Sequence, residues 1–166
     1  MKRRVRILLR YSRYGSEESS LMFVEPYFVK LFSRRWYAVV RHPDDGMLFT
    51  LAFDRILTLE LTDQVFEYDS AFDPSAWFRD CYGIVNDHDV PIEKVIIRAF
   101  GREPHYLRDL PLHHTQKEET NDGENVTFSI FVCAKDKTGR FYNDLIMEFC
   151  KFGSRLEVIW PADILN

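Results

Sequence analysis

The sequence predicts an α+β chain in two parts, a small curled β-barrel followed by a βαββαβ sandwich. Up to about residue 65, short runs rich in aromatic and β-branched residues follow one another across tight turns, with almost no helical periodicity. From Lys94 onward, strand-like alternation and helical stripes succeed each other. Charge divides along similar lines. Residues 1–55 carry 11 Lys/Arg against 6 Asp/Glu, and residues 56–166 carry 11 against 20. A basic first part suits an anion, and an acidic second part repels nucleic acid.

In the first part, Val5, Ile7, Leu9 and Tyr11 alternate with Arg6, Leu8, Arg10 and Ser12, the period-2 pattern of a strand with one buried face. The polar stretch 14–20 makes a turn. Leu21–Phe32 reads as a long strand in which Pro26 marks a bulge or edge, the kind of bend that curls a small sheet. Ser33-Arg34 turns the chain into a strand from Arg35 to His42, where Trp36, Ala38, Val40 and His42 oppose Tyr37, Val39 and Arg41. The turn His42-Pro43-Asp44-Asp45-Gly46 leads into Met47–Phe53, and Arg55–Val65 supplies a fifth strand. Five short strands joined this way predict an SH3-like (Sm-like) small barrel over residues 1–70.

The composition shifts near residue 66. Phe66–Ala71 reads as a linker strand, and Asp73-Pro74 opens a short helix carrying Trp77 and Phe78, with Asp73 as its N-cap. The polar stretch Asn86–Glu93 follows. The pattern then gives a strand over Val95–Phe100, a helix over Glu103–Leu110, a strand over His113–Thr120, an Asp122-Gly123 hairpin turn and a strand over Val126–Ala134. Phe141, Leu145 and Phe149 place one apolar stripe on a helix from Arg140 to Cys150, and Leu156–Trp160 is the last strand. This βαββαβ order predicts a ferredoxin-like domain over residues 71–166.

Composition narrows function mainly by exclusion. Cys81, Cys133 and Cys150 are odd in number and far apart, which fits reduced thiols in a cytoplasmic protein and neither a disulfide framework nor a CxxC site. The run approaching a membrane span is missing, so no membrane partner is expected. His113-His114 lacks partners at metal spacing, and His42, His88 and His105 are isolated. With neither a Ser-His-Asp order nor a phosphate-binding glycine loop, an enzyme is not expected, nor a metal or cofactor. The Arg-rich beginning (Lys2, Arg3, Arg4, Arg6, Arg10, Arg13) could track a phosphate backbone, or Arg6 and Arg10 could be the solvated face of an edge strand.

Several segments in order resemble the WYL-domain family of bacterial transcription regulators. Trp36-Tyr37-Ala38 stands where that family has Trp-Tyr-Leu. Leu9-Arg10-Tyr11, Val24-Glu25-Pro26-Tyr27 and Phe53-Asp54-Arg55-Ile56 flank it in the matching places. The second part resembles the WCX extension, on Trp77 through Ile84, Pro111 through Gln116, and Phe152-Gly153 through Pro161. Ala38 replaces the family's leucine, and Met22 and Phe49 stand where many members place a basic residue.

The resemblance implies a ligand-sensing module whose barrel binds a nucleotide or single-stranded nucleic-acid effector. It points to Tyr11, Ser12, Tyr37, Arg41 and Arg55 as ligand-binding residues around one hollow, with guanidinium forks for phosphate and phenol rings for stacking. For Arg55 the structural alternative is an ion pair with Asp54 or Glu60, or an N–H fork that ties down the fifth strand. It also implies a homodimer and DNA contact through a helix-turn-helix domain that this chain lacks. Met1-Lys2-Arg3-Arg4 leading straight into a strand is expected to be the truncated start of a longer regulator. A standalone single-strand-binding accessory protein and a dimerisation module without a ligand are the rival readings.

Overall fold

The computed structural model describes residues 3–16, 18–87 and 89–164, so the readings that involve Met1, Lys2 and His88 lie outside the described residues. The chain divides into two compact units. The first comprises Met1–Trp77 and Ile84–Asn86, and the second Phe78–Gly83 and Asp87–Asn166. The architecture is mostly β with few helices, built on two antiparallel sheets.

The first sheet contains β1 (Val5–Ser12), β2 (Ser19–Phe32), β3 (Arg35–Arg41), β4 (Leu48–Ala52) and β5 (Ile56–Val65), in the order β4-β3-β2-β1-β5. A single 3-10 turn, Phe53–Arg55, joins β4 to β5. Thus β1 lies between β2 and β5 and is not an edge strand, so Arg6 and Arg10 are not an edge's solvated face. The register of β2 on β3 shifts between Pro26 and Phe28, where the proline lacks an N–H for the ladder. Ser33 and Arg34 both adopt left-handed backbone (φ 45° and 66°), which matches a two-residue hairpin turn to the twist of its strands. In the next hairpin, Gly46 (φ 72°) donates to the His42 carbonyl and His42 donates to that of Met47.

Alternation assigns the faces. Leu9, Tyr11, Val24, Val40 and Leu51 are buried together on one face, and Ile7, Met22, Ala38, Phe49 and Ile56 pack against them. Met22 and Phe49 therefore serve this apolar cluster. The opposite face of β3 carries Tyr37, Val39 and Arg41, with Tyr37 packed against Ala52, Ile84 and Phe32.

The segment after β5 is not a strand. The Phe66 N–H donates to the Arg4 carbonyl, after which the chain leaves the sheet. Ring packing on Tyr27 replaces strand pairing, with Phe66, Tyr68 and Phe72 centred 6.0, 4.8 and 5.2 Å away. Helix α1 (Pro74–Phe78) begins as the Asp73-Pro74 pair predicts: Asp73 Oδ1 accepts from the Ser75 N–H.

The second sheet contains β6 (Glu93–Phe100), β7 (Lys117–Asn121), β8 (Asn125–Val132) and β9 (Leu156–Trp160), in the order β7-β8-β6-β9 with antiparallel pairings throughout. Helices α2 (Glu103–Asp109) and α3 (Asn143–Cys150) fall between β6 and β7 and between β8 and β9. Val126, Phe128, Ile130 and Val132 bury one face of β8 against Val95 and Ile97 of β6 and Leu145 and Phe149 of α3. Two elements start three or more residues later than the sequence predicts. Strand β7 starts at Lys117 because His113 and Thr115 are held by side-chain bonds. Helix α3 starts at Asn143 because the Arg140 N–H is taken by Asp136 and that of Tyr142 by the Ala134 carbonyl. Among the described residues, no helix is long and apolar enough to cross a membrane.

Candidate functional site

The apolar face of the first sheet encloses a hollow of about 540 Å3, walled by Ile7, Leu9, Val40, Leu51, Leu59 and Leu61 among others and bordered by Arg3 and Arg4 at one end. In β5, Leu57, Leu59 and Leu61 are more than half exposed. This hollow is a hydrocarbon surface, not the meeting place of guanidinium and phenol groups that the sequence leads one to expect.

The opposite face holds a buried ion cluster. Glu25 is only 2% exposed, and its two carboxylate oxygens accept from Arg6 Nε (2.9 Å) and Arg41 Nε (2.6 Å). Adjacent strands supply all three groups, since β2 lies between β1 and β3 and Glu25 pairs with Arg41. The Arg41 Nη2 also donates to the Glu67 carbonyl at 3.0 Å, and its Cζ lies 5.1 Å from the Tyr27 ring centre. A carboxylate this deep needs both partners to offset its lost hydration.

A different cluster forms at the end of the sheet where the β1–β2 loop meets the turn before β5. Tyr14 is 67% exposed. The Arg55 guanidinium lies over its ring, with Cζ 3.8 Å from the centre, while Arg35 Nη1 donates to its hydroxyl at 3.1 Å. Arg35 also faces Asp54 at 3.5 Å. The Tyr14 hydroxyl, and after it the Asp54 charge, raise the pKa of Arg35 above that of a free arginine. Among the described residues, buried Arg55 Nε has no hydrogen-bond partner. The cluster therefore presents an open ring face beside two cations.

The five residues singled out from sequence are divided by the sheet. Tyr11 is buried in the apolar cluster, and its hydroxyl accepts the Ala52 N–H at 3.2 Å. Tyr37 and Arg41 share the opposite face. Ser12 ends β1, paired with Ser19 beneath the loop that carries Tyr14. Arg55 makes no ion pair with Asp54 or Glu60 and uses Tyr14 instead. Sequence reasoning missed Tyr14, Arg35 and Glu25. A lone acid in the apolar run Val24-Glu25-Pro26-Tyr27 was the available signal for the last, since a carboxylate in a buried strand implies cationic partners.

In the second unit, His113 is buried, with Nε2 3.0 Å from the Arg79 carbonyl and Nδ1 2.8 Å from Thr115 Oγ1. The carbonyl can only accept, so Nε2 carries a proton. Burial, and then neighbouring His114, lower its pKa below the ordinary histidine value. Burial raises the Cys133 thiol and the Asp144 carboxyl, and it raises the Tyr142 phenol ahead of the bond to Asp87. A raised thiol pKa makes Cys133 a poor nucleophile. Among the described residues, no group of three or more His, Cys, Asp or Glu could hold a metal ion.

The sheet and its cationic, aromatic end define a small antiparallel β domain. Residues 1–61 match the family model of the WYL domain. Among solved structures, the chain is similar to the proteasome accessory factor B/C (PafBC) of Arthrobacter aurescens, at 16% identity and a TM-score of 0.41 over 98% of its own length. It spans 23% of that protein's chain. No curated protein matches it.

Proposed function

We propose that this chain is the effector-sensing region of a bacterial transcription regulator and is not an enzyme. The WYL-domain match supports the regulatory class. In this reading the first sheet is an SH3-like barrel spanning residues 1–70, supported by its five-strand order and by the single 3-10 turn between β4 and β5. Residues 71–166 are a WCX-like extension of ferredoxin-like fold, supported by the βαββαβ element order and the β7-β8-β6-β9 sheet. The region works as a cytoplasmic homodimer, and a helix-turn-helix unit of the regulator contacts DNA.

The effector is a nucleotide or short single strand, held at the Tyr14 cluster. One observation carries this: the exposed Tyr14 ring lies between the Arg55 and Arg35 guanidiniums. A base stacks on the open ring face, and the guanidiniums meet its phosphates. Arg55 and Ser12 act in direct contact, whereas Tyr11, Tyr37 and Arg41 hold the sheet in shape. The test is fluorescence anisotropy of a labelled oligothymidylate with the full chain at low salt. Tyr14→Ala and Arg55→Ala should each weaken binding about tenfold, on the order of one stacking or charge-assisted contact. Binding unchanged in both variants, or no saturable binding to wild type, would refute the reading.

A further inference from the structure

We propose that the hollow of the first sheet is a second ligand site, specific for a long-chain carboxylate with its tail among the strands and its head on Arg3. The hollow's volume of about 540 Å3 falls in the range of small-molecule sites, roughly 300–1,000 Å3. Its walls are aliphatic from Ile7 and Leu9 on β1 to Leu59 and Leu61 on β5, which pair directly across the two strands. Water entering it meets hydrogen-bonding side chains only at the arginine end, so the lining selects a hydrocarbon body. Among the described residues, no carboxylate lines the hollow, and the charged groups there are the cations Arg3 and Arg4.

Arg3 lines the same hollow as Val5, Ile7 and Leu9 from just ahead of β1, where Arg4 turns the chain through left-handed backbone (φ 45°). Its neighbour Arg4 is already placed, with its carbonyl accepting the Phe66 N–H and its guanidinium 5.4 Å from the Tyr68 ring centre. Among the described residues, no carboxylate lies within ion-pair distance of Arg3, so its guanidinium is available to a ligand head. The charge and the oil therefore sit at opposite ends of one cavity, the arrangement an amphiphilic monoanion requires.

The experiment titrates the full chain with a dansyl-labelled undecanoate, followed by fluorescence, with laurate and dodecanol as competitors below their micelle concentrations. Saturable binding is expected, with laurate displacing the probe about tenfold better than dodecanol, one charge-assisted contact's worth. Arg3→Glu should bring the two competitors within about twofold of each other. Leu59→Glu, an exposed edge-strand change that should leave the circular dichroism intact, should abolish binding. The proposal is overturned if laurate and dodecanol compete equally against wild type, if Leu59→Glu binds normally, or if the probe does not bind. It is also overturned if sedimentation shows that a second copy of the chain covers this face and Leu59→Glu separates it. Competition by an oligothymidylate, whose site is the Tyr14 cluster, would move the probe out of the hollow and equally refute the assignment.

Discussion

Glu25 is enclosed by protein yet faces two guanidiniums from neighbouring strands, and the balance at this residue decides how Arg41 should be regarded. Removing one partner of a buried carboxylate costs more than the intact pair contributes, because the remaining charge keeps its desolvation penalty. Arg6 would stay in place after loss of Arg41, so the penalty is partial. We predict that Arg41→Ala lowers unfolding free energy by about 2 kcal/mol, and that adding Glu25→Leu restores most of it. Urea titration of the single and double variants checks this. A single variant within about 0.5 kcal/mol of wild type would mean that the cluster does not hold the sheet. On this account Arg41 and Arg55, alike in sequence, differ in role. The first is committed to a carboxylate at 2.6 Å, whereas the second lies over an exposed ring with an N–H unmatched.

At the scale of elements, what could be read from sequence was whatever depended on local alternation. The bounds of β1 followed from period 2, the β2 bulge from Pro26, and the buried face of β8 from Val126, Phe128, Ile130 and Val132. What could not be read depended on partners distant in sequence. Phe66–Ala71 has strand composition, but it is tied to Tyr27 by rings instead of joining the ladder. Tyr11 and Arg41 were expected at one mouth, yet alternation on two strands whose pairing was unknown left them on opposite faces. The His113 stretch, too, has strand-like residues but is fixed by bonds to Arg79 and Thr115. That arrangement carries a pH signature. Folding keeps His113 neutral, with a pKa below the ordinary value of about 6.5, so the unfolded chain takes up a proton that the folded chain excludes. Stability should therefore be complete above about pH 6.5 and decline as pH falls below it. The melting temperature of wild type between pH 7.5 and 5.5, set against His113→Gln, measures this. Parallel profiles would remove His113 as the cause.

For the whole molecule, the proposed function requires a chain of net charge −4 to bind a polyanion. The surplus of positive charge lies in residues 1–55, where Arg6 and Arg41 are held on the Glu25 carboxylate and Arg10 donates to Ser19 Oγ. The acidic remainder of the chain opposes nonspecific attachment. A single strand should therefore meet a local site with few phosphate contacts, not a broad basic surface. Counterion release makes this quantitative, because each phosphate neutralised on a single strand contributes about −0.7 to the slope of log K against log salt. With Arg35 and Arg55 as the two contacts, the slope should be roughly −1.4, falling to about −0.7 in Arg55→Ala. Anisotropy titrations of an oligothymidylate at four or more salt concentrations give the number directly. A slope steeper than about −3 would require a basic track that the ion pairs around Glu25 do not leave open, and a slope near zero would reduce the interaction to stacking on Tyr14 without phosphate recognition.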